Sequence, residues 1–158
     1  MNETTTLQVT TPTEREIVMT REFDAPRDLV FDAMTKPDLV QRWLLGPPGW
    51  TMPVCEIDLQ VGGAYRYVWR SDADGSEFGL GGVFREIAAP ERLVATEAFE
   101  GQPGESLDTT VLTEQDGRTT LALTMLFDSK EARDAALESG MESGVATSYD
   151  RLEEILAA

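Results

Sequence analysis

The sequence predicts an α+β domain. Its expected form is a strongly curved antiparallel sheet of about six to seven strands around a long C-terminal helix, with two short helices after the first strand. Apolar residues alternate at period two through several short segments between Cys55 and Phe127. Helical spacing is confined to residues 25–43 and to the C-terminus. Strands cluster and helices stand apart, which argues against a parallel α/β sheet. The 158 residues suffice for one sizeable core, expected over residues 14–158 behind a flexible leader of residues 1–13.

The leader carries six threonines and little to bury. Ile17, Met19 and Phe23 then share one face of a half-buried strand ending at Asp24. Asp24-Ala25-Pro26 reads as a helix start, an acceptor side chain ahead of a first-turn proline. Leu29, Val30, Ala33 and Met34 form that helix's apolar stripe, and Thr35-Lys36-Pro37 closes it and opens a second helix with Leu39, Val40 and Trp43 on one side. Leu45-Gly46-Pro47-Pro48-Gly49 is a stiff loop. Cys55, Ile57 and Leu59 alternate with polar neighbours, Gly62-Gly63 marks a turn or bulge, and Tyr65, Tyr67 and Trp69 alternate with Arg66, Val68 and Arg70. Asp72–Gly75 is a hairpin turn, followed by strands near 77–88, 92–100, 107–115 and 118–127, the last two joined by Asp116-Gly117. Asp128 with Glu131 resembles a capping box, and Gly140 and Gly144 interrupt the helix that follows. Val145, Tyr149, Leu152 and Leu156 recur at helical steps beside Ile155, an amphipathic helix of about four turns. Such a helix cannot fill a curved sheet's whole concavity, so a pocket is expected between helix, sheet and the two short helices.

Composition limits the partners. Twenty-nine acids against 13 bases give a net charge of −16, which repels nucleic acid and anionic lipid and suits solubility or the steering of a cationic ligand. No apolar run reaches the ~18–20 residues of a membrane-spanning helix, so no membrane insertion is expected. A lone Cys55 rules out an internal disulfide and points to the cytoplasm. Histidine is absent, which removes the usual general base and the commonest metal ligand. The acids lack calcium-loop spacing, and Gly79–Gly82 lacks the lysine and helix of a phosphate loop, so neither metal nor cofactor is expected.

Several pieces in order resemble the START-like, SRPBCC superfamily, in particular its heat-shock-protein-90 ATPase activator-like branch. They are Phe23-Asp24-Ala25-Pro26 leading into Val30-Phe31, Trp43 before the Gly46–Trp50 loop, and Glu56-Ile57-Asp58 before Gly62-Gly63-Ala64-Tyr65-Arg66. Gly82–Ile87, Pro90–Val94 and Ser148–Leu152 complete the set, spanning residues ~14–157. The resemblance implies a helix-grip fold and a superfamily whose members include ligand carriers, cyclases and hydroxylase domains. A chaperone partner is disfavoured, because only the short leader precedes the module.

The ligand-facing candidates are Trp43, Trp50, Tyr65, Tyr67, Trp69, Phe84, Glu97, Phe99, Met125, Val145 and Tyr149. Rings with one polar atom each suit a pocket that holds an apolar ligand and orients it with a few hydrogen bonds. Glu97 shares a face with Leu93, Ala95 and Phe99, so it points inward if they do. Asp58 is the second acid considered, with an outward orientation expected; Arg66 and Arg70 are expected on the wet, convex face, and Cys55 as an inert thiol. The favoured function is binding of a hydrophobic small molecule. Two rivals are a cyclase- or hydrolase-like enzyme with Glu97 as acid or base, and a chaperone or transcription-regulator accessory protein; a homodimer stays open.

Overall fold

The computed structural model describes residues 6–157. In chain order these form β1 (Gln8–Thr10), β2 (Glu16–Phe23), α1 (Arg27–Thr35), α2 (Pro37–Trp43), β3 (Trp50–Ile57), β4 (Ala64–Ser71), β5 (Glu77–Ala88), β6 (Arg92–Phe99), β7 (Ser106–Gln115), β8 (Arg118–Leu126), α3 (Lys130–Glu138) and α4 (Met141–Ala157). All eight strands lie in one antiparallel sheet, in the order β1-β2-β8-β7-β6-β5-β4-β3. This is the expected α+β helix-grip architecture with one strand more. The extra strand comes from the supposed leader, where Gln8, Val9 and Thr10 pair with Thr20, Met19 and Val18. Residues 1–5 of that leader lie outside the described residues.

Short connections explain the meander. At the β7–β8 turn Asp116 and Gly117 both have positive φ, 53° and 77°, the conformation whose twist matches a two-residue hairpin. Three local expectations are corrected. Asp24 does not cap α1: the N-cap is Pro26, without a side-chain bond, and Asp24 instead pairs with Arg118 at 3.5 Å. Ser129, not Asp128, caps α3, its hydroxyl accepting from the Ala132 N–H at 3.1 Å. Gly140, at φ 85°, separates α3 from α4, whereas Gly144 lies within α4 and interrupts nothing.

The far edge strand, β3, carries Pro53, and its register with β4 shifts between Thr51 and Val54. Among the described residues no helix is long and apolar enough to cross a membrane.

One face of the sheet is covered by α1, α2 and α4. There Phe23, Val30, Val40, Leu121 and Leu152 are fully buried in one cluster, joined by Trp43 and Tyr149. Period two puts Arg21 on the same inner face as Ile17, Met19 and Phe23, and Arg21 is indeed buried. Its Nη1 meets Asp150 Oδ1 on α4 at 2.9 Å, its Nη2 lies 3.9 Å from Glu153 Oε1, and its guanidinium lies 5.3 Å from the centre of the Phe23 ring. A charge taken out of water must be compensated, so this contact fixes α4 against β2. Replacing Asp150 and Glu153 together by alanine should cost about 2–4 kcal/mol in urea unfolding. Removing the exposed Lys130–Asp134 pair should cost less than about 1 kcal/mol. Equal losses from the two changes would contradict this role for Arg21.

Candidate functional site

On β4, alternation sends Tyr65, Tyr67 and Trp69 to the inner face and Arg66 and Arg70 to solvent. Arg66 is held outside by Glu100, with Nε 2.6 Å from Oε2. The inward rings form a band. Phe84 and Tyr65 are 5.5 Å apart, Tyr65 and Tyr67 5.2 Å, Tyr67 and Trp69 5.9 Å, and Trp69 stacks on Phe78 at 5.1 Å. Trp50 and Phe99 contact Phe78 from either side, at 5.3 and 6.2 Å. Phe84 is buried, but Phe78 and Phe99 are 44% and 47% exposed, so the band runs from the core out to solvent.

Tyr65 is locked in place. Its hydroxyl donates to the Thr96 carbonyl at 2.7 Å, and the Thr96 hydroxyl accepts from the Val83 N–H at 2.9 Å. Gly82, opposite Tyr65 in the ladder, makes this possible, because a Cβ there would overlap the Thr96 carbonyl oxygen.

Two indoles are structural ties rather than free surface. Trp43 donates to the Ala33 carbonyl at 2.8 Å and Trp69 to the Leu44 carbonyl at 2.7 Å, joining α2 to α1 and to β4. Met125 packs in a second, smaller core cluster with Ile17 and Met19, and half-buried Val145 touches both clusters. The structure thus groups Trp50, Tyr65, Tyr67, Trp69, Phe84 and Phe99 in one aromatic band. Trp43 and Tyr149 sit together beside it, with ring centroids 5.9 Å apart.

Glu97 does turn inward, and it has a partner that the sequence pattern did not single out. Ladder pairing sets Glu97 opposite Ser106 and Asp108 opposite Ala95, which makes Glu97 and Asp108 diagonal neighbours on one face. The two carboxyls act on each other's ionisation, and Asp108 also accepts from the Ser106 hydroxyl at 2.7 Å. Burial, then the Asp108 charge, raises the Glu97 pKa well above the usual carboxylate range. Burial also pushes Asp108 up to about 6, against the lowering effect of the hydrogen bonds from Ser106 and Glu97. Burial likewise raises Tyr65, Tyr67 and Tyr149, and the charges of Glu97 and Asp108 add to the effect on Tyr65 and Tyr149.

Half-buried Cys55 lies opposite Tyr67, its thiol pushed up to about 11 by burial, so it stays protonated at neutral pH. Asp58 is exposed. An open groove of about 480 Å³ lies on the other side of the sheet, along Arg85, Val94, Thr96, Leu107 and Leu126.

Asp108, Ser106 and Arg21 escaped the sequence reading. Arg21 was legible, because it interrupts the inward series Ile17, Met19, Phe23 without breaking its period. Asp108 was not. Its neighbour Leu107 suggests the opposite phase, yet Leu107 is on the outer face and 37% exposed.

A family model described as Activator of Hsp90 ATPase homolog 1-like protein matches residues 24–157. A crystal structure of a Rhodobacter sphaeroides protein is 31% identical and covers 96% of this chain and 98% of its own, with a TM-score of 0.91. One from Nitrosomonas europaea is 25% identical over 93% of this chain and 97% of its own, TM-score 0.82. The solution structure of an AHSA1-like protein from Aeromonas hydrophila, 20% identical over 87% and 93% of the two chains, TM-score 0.70, shares the fold. No curated protein matches the chain.

The paired acids fix the sign of a pH effect. Their folded pKa values lie above the unfolded ones, so the native state binds more protons and their contribution to stability falls as pH rises through the folded values. Relative to wild type, Glu97→Gln should therefore gain stability, by more than about 1 kcal/mol, between about pH 4 and neutrality. Urea unfolding at stepped pH checks this. A wild-type-minus-variant difference that stays flat across the window would remove the paired-acid description.

Proposed function

The chain belongs to the Activator of Hsp90 ATPase homolog 1-like family, and from that premise we propose that it binds a small apolar, aromatic or lipid-like molecule between α4 and the inner face of the sheet. One observation carries the reading. Tyr67, Ala95, Glu97 and Asp108 are on the inner face, the side α4 covers, yet each keeps partial exposure. A close-packed interior leaves no such residue. That partial exposure supports a binding site beside them, among aromatic rings with a few polar atoms, the composition of small-molecule sites. The exposed Phe78 and Phe99 mark the entrance and offer an apolar ligand its first contact.

A second reading, an enzyme of the cyclase or hydrolase kind, is favoured by Glu97 alone. A carboxyl that burial holds towards its protonated form can act as a general acid beside an oriented substrate.

A neutral apolar dye, N-phenyl-1-naphthylamine, should bind saturably with rising fluorescence, and native mass spectrometry of freshly purified protein should show a retained small molecule. Ala95→Trp, which fills the space beside Phe84 and Asp108, should weaken dye binding by about tenfold or more without loss of cooperative melting. Absence of both saturable dye binding and a retained molecule would refute the reading.

A further inference from the structure

We infer that this chain forms a two-fold homodimer through the outer face of its sheet, the side opposite α4. An antiparallel sheet with one wet side is expected to turn polar residues outward. Here the outward positions of β2, β8, β7 and β6 hold Val18, Leu126, Leu107, Val111 and Val94, with only threonine or alanine between them. The charged outward residues of these strands, Glu16, Glu22, Arg92 and Arg118, stand at the margins of that area. Its interior carries no charge, although 27% of the chain's residues are charged. All four helices pack on the inner side, α3 through Ala136 and Leu137 against Ile17, Met19 and Met125. Among the described residues the outer face is thus uncovered, and Leu107 on its middle strand is 37% exposed.

The rim of this face carries unanswered charge of both signs. Arg15, Arg85, Glu105 and Asp128 all edge the open groove of about 480 Å³. Among the described residues none of the four forms an ion pair. Arg85 owes its place to a bulge. The register of β5 on β6 slips between Phe84 and Glu86, which turns Arg85 and Glu86 to the same side. Glu86 is claimed by Arg92 at 2.8 Å, whereas Arg85 stays exposed above the groove.

Charge and area together select a second copy as the occupant. A strongly charged partner of either sign would meet its like at the rim. A two-fold axis instead lets each copy offer its arginines to the other's acids. With a net charge of −16 two copies repel over most approaches, and the uncharged face is where they can meet. β7 is the middle of the five strands from β5 to β2. An axis along it lays β5 of each copy over β2 of the other and carries Arg85 to the side of the groove where Asp128 lies. At about 4.8 Å per strand and about 3.4 Å per residue, the face measures about 24 Å by about 20 Å. With its rim it approaches the about 800 Å² per partner of a standard interface. The inner face, where the ligand site is proposed, stays open in such a pair.

Sedimentation equilibrium of the full chain, at about 100 μM protein and about 0.15 M salt, tests this. The wild type should show twice the 17.4 kDa of one chain. Leu107→Glu should give a monomer that still melts cooperatively. Arg85→Glu should weaken association by about tenfold or more, and it keeps the proposal testable if the first variant does not fold. Arg42→Glu makes the same change of charge at an exposed position on α2 and should leave association as it is. A wild type that stays at the mass of one chain would overturn the proposal. So would a dimer that neither Leu107→Glu nor Arg85→Glu disturbs, since its interface would lie elsewhere. Neither result bears on the ligand site of the inner face, which dye binding decides separately.

Discussion

The seating of α4 on the sheet is the constraint from which the remaining structure follows. Arg21 and Asp150 set the helix's position along β2, and Tyr149 then meets Phe23 edge-on at 5.6 Å while Leu152 becomes fully buried. Burial is uneven along the helix. Ser148, Tyr149 and Leu152 are buried, whereas Met141 and Val145 keep partial exposure. On the sheet beneath, Tyr67 and Glu97 likewise keep partial exposure.

Charge on the inner face is handled in two contrasting ways. Arg21 is buried but answered by carboxylates reaching down from α4, one of them largely in water. Glu97 and Asp108 have no such answer: burial raises the cost of ionising both, and the Asp108 charge adds to it at Glu97. The first arrangement is a fastening. The second is a store of proton affinity held at an accessible surface, and such stores cluster where proteins meet ligands or do chemistry.

Most of the architecture could be read from local pattern. Period-two alternation in β4 put Tyr65, Tyr67 and Trp69 on one face, and Asp116-Gly117 marked a two-residue hairpin. Glu97 was traceable inward through Leu93 and Ala95. What local pattern could not supply was anything set by register between strands. The Glu97–Asp108 meeting depends on β6 and β7 pairing Ala95 with Asp108, a long-range fact that no property of either segment encodes. The same holds for Gly82, whose role is the Thr96 carbonyl lying over it. Helix ends failed for a different reason. Asp24 and Asp128 each have the chemistry of a cap, but a neighbouring ion pair claimed the first and Ser129 displaced the second.

An open sheet has two rims, and this one finishes the exposed side of β3 with Pro53 and a slipped register. Proline offers no N–H, and the irregularity spoils the even spacing that a foreign chain would need to dock as a ninth strand. Copies of the protein are thereby discouraged from stitching themselves into a continuous ribbon, even at the concentrations an abundant protein reaches.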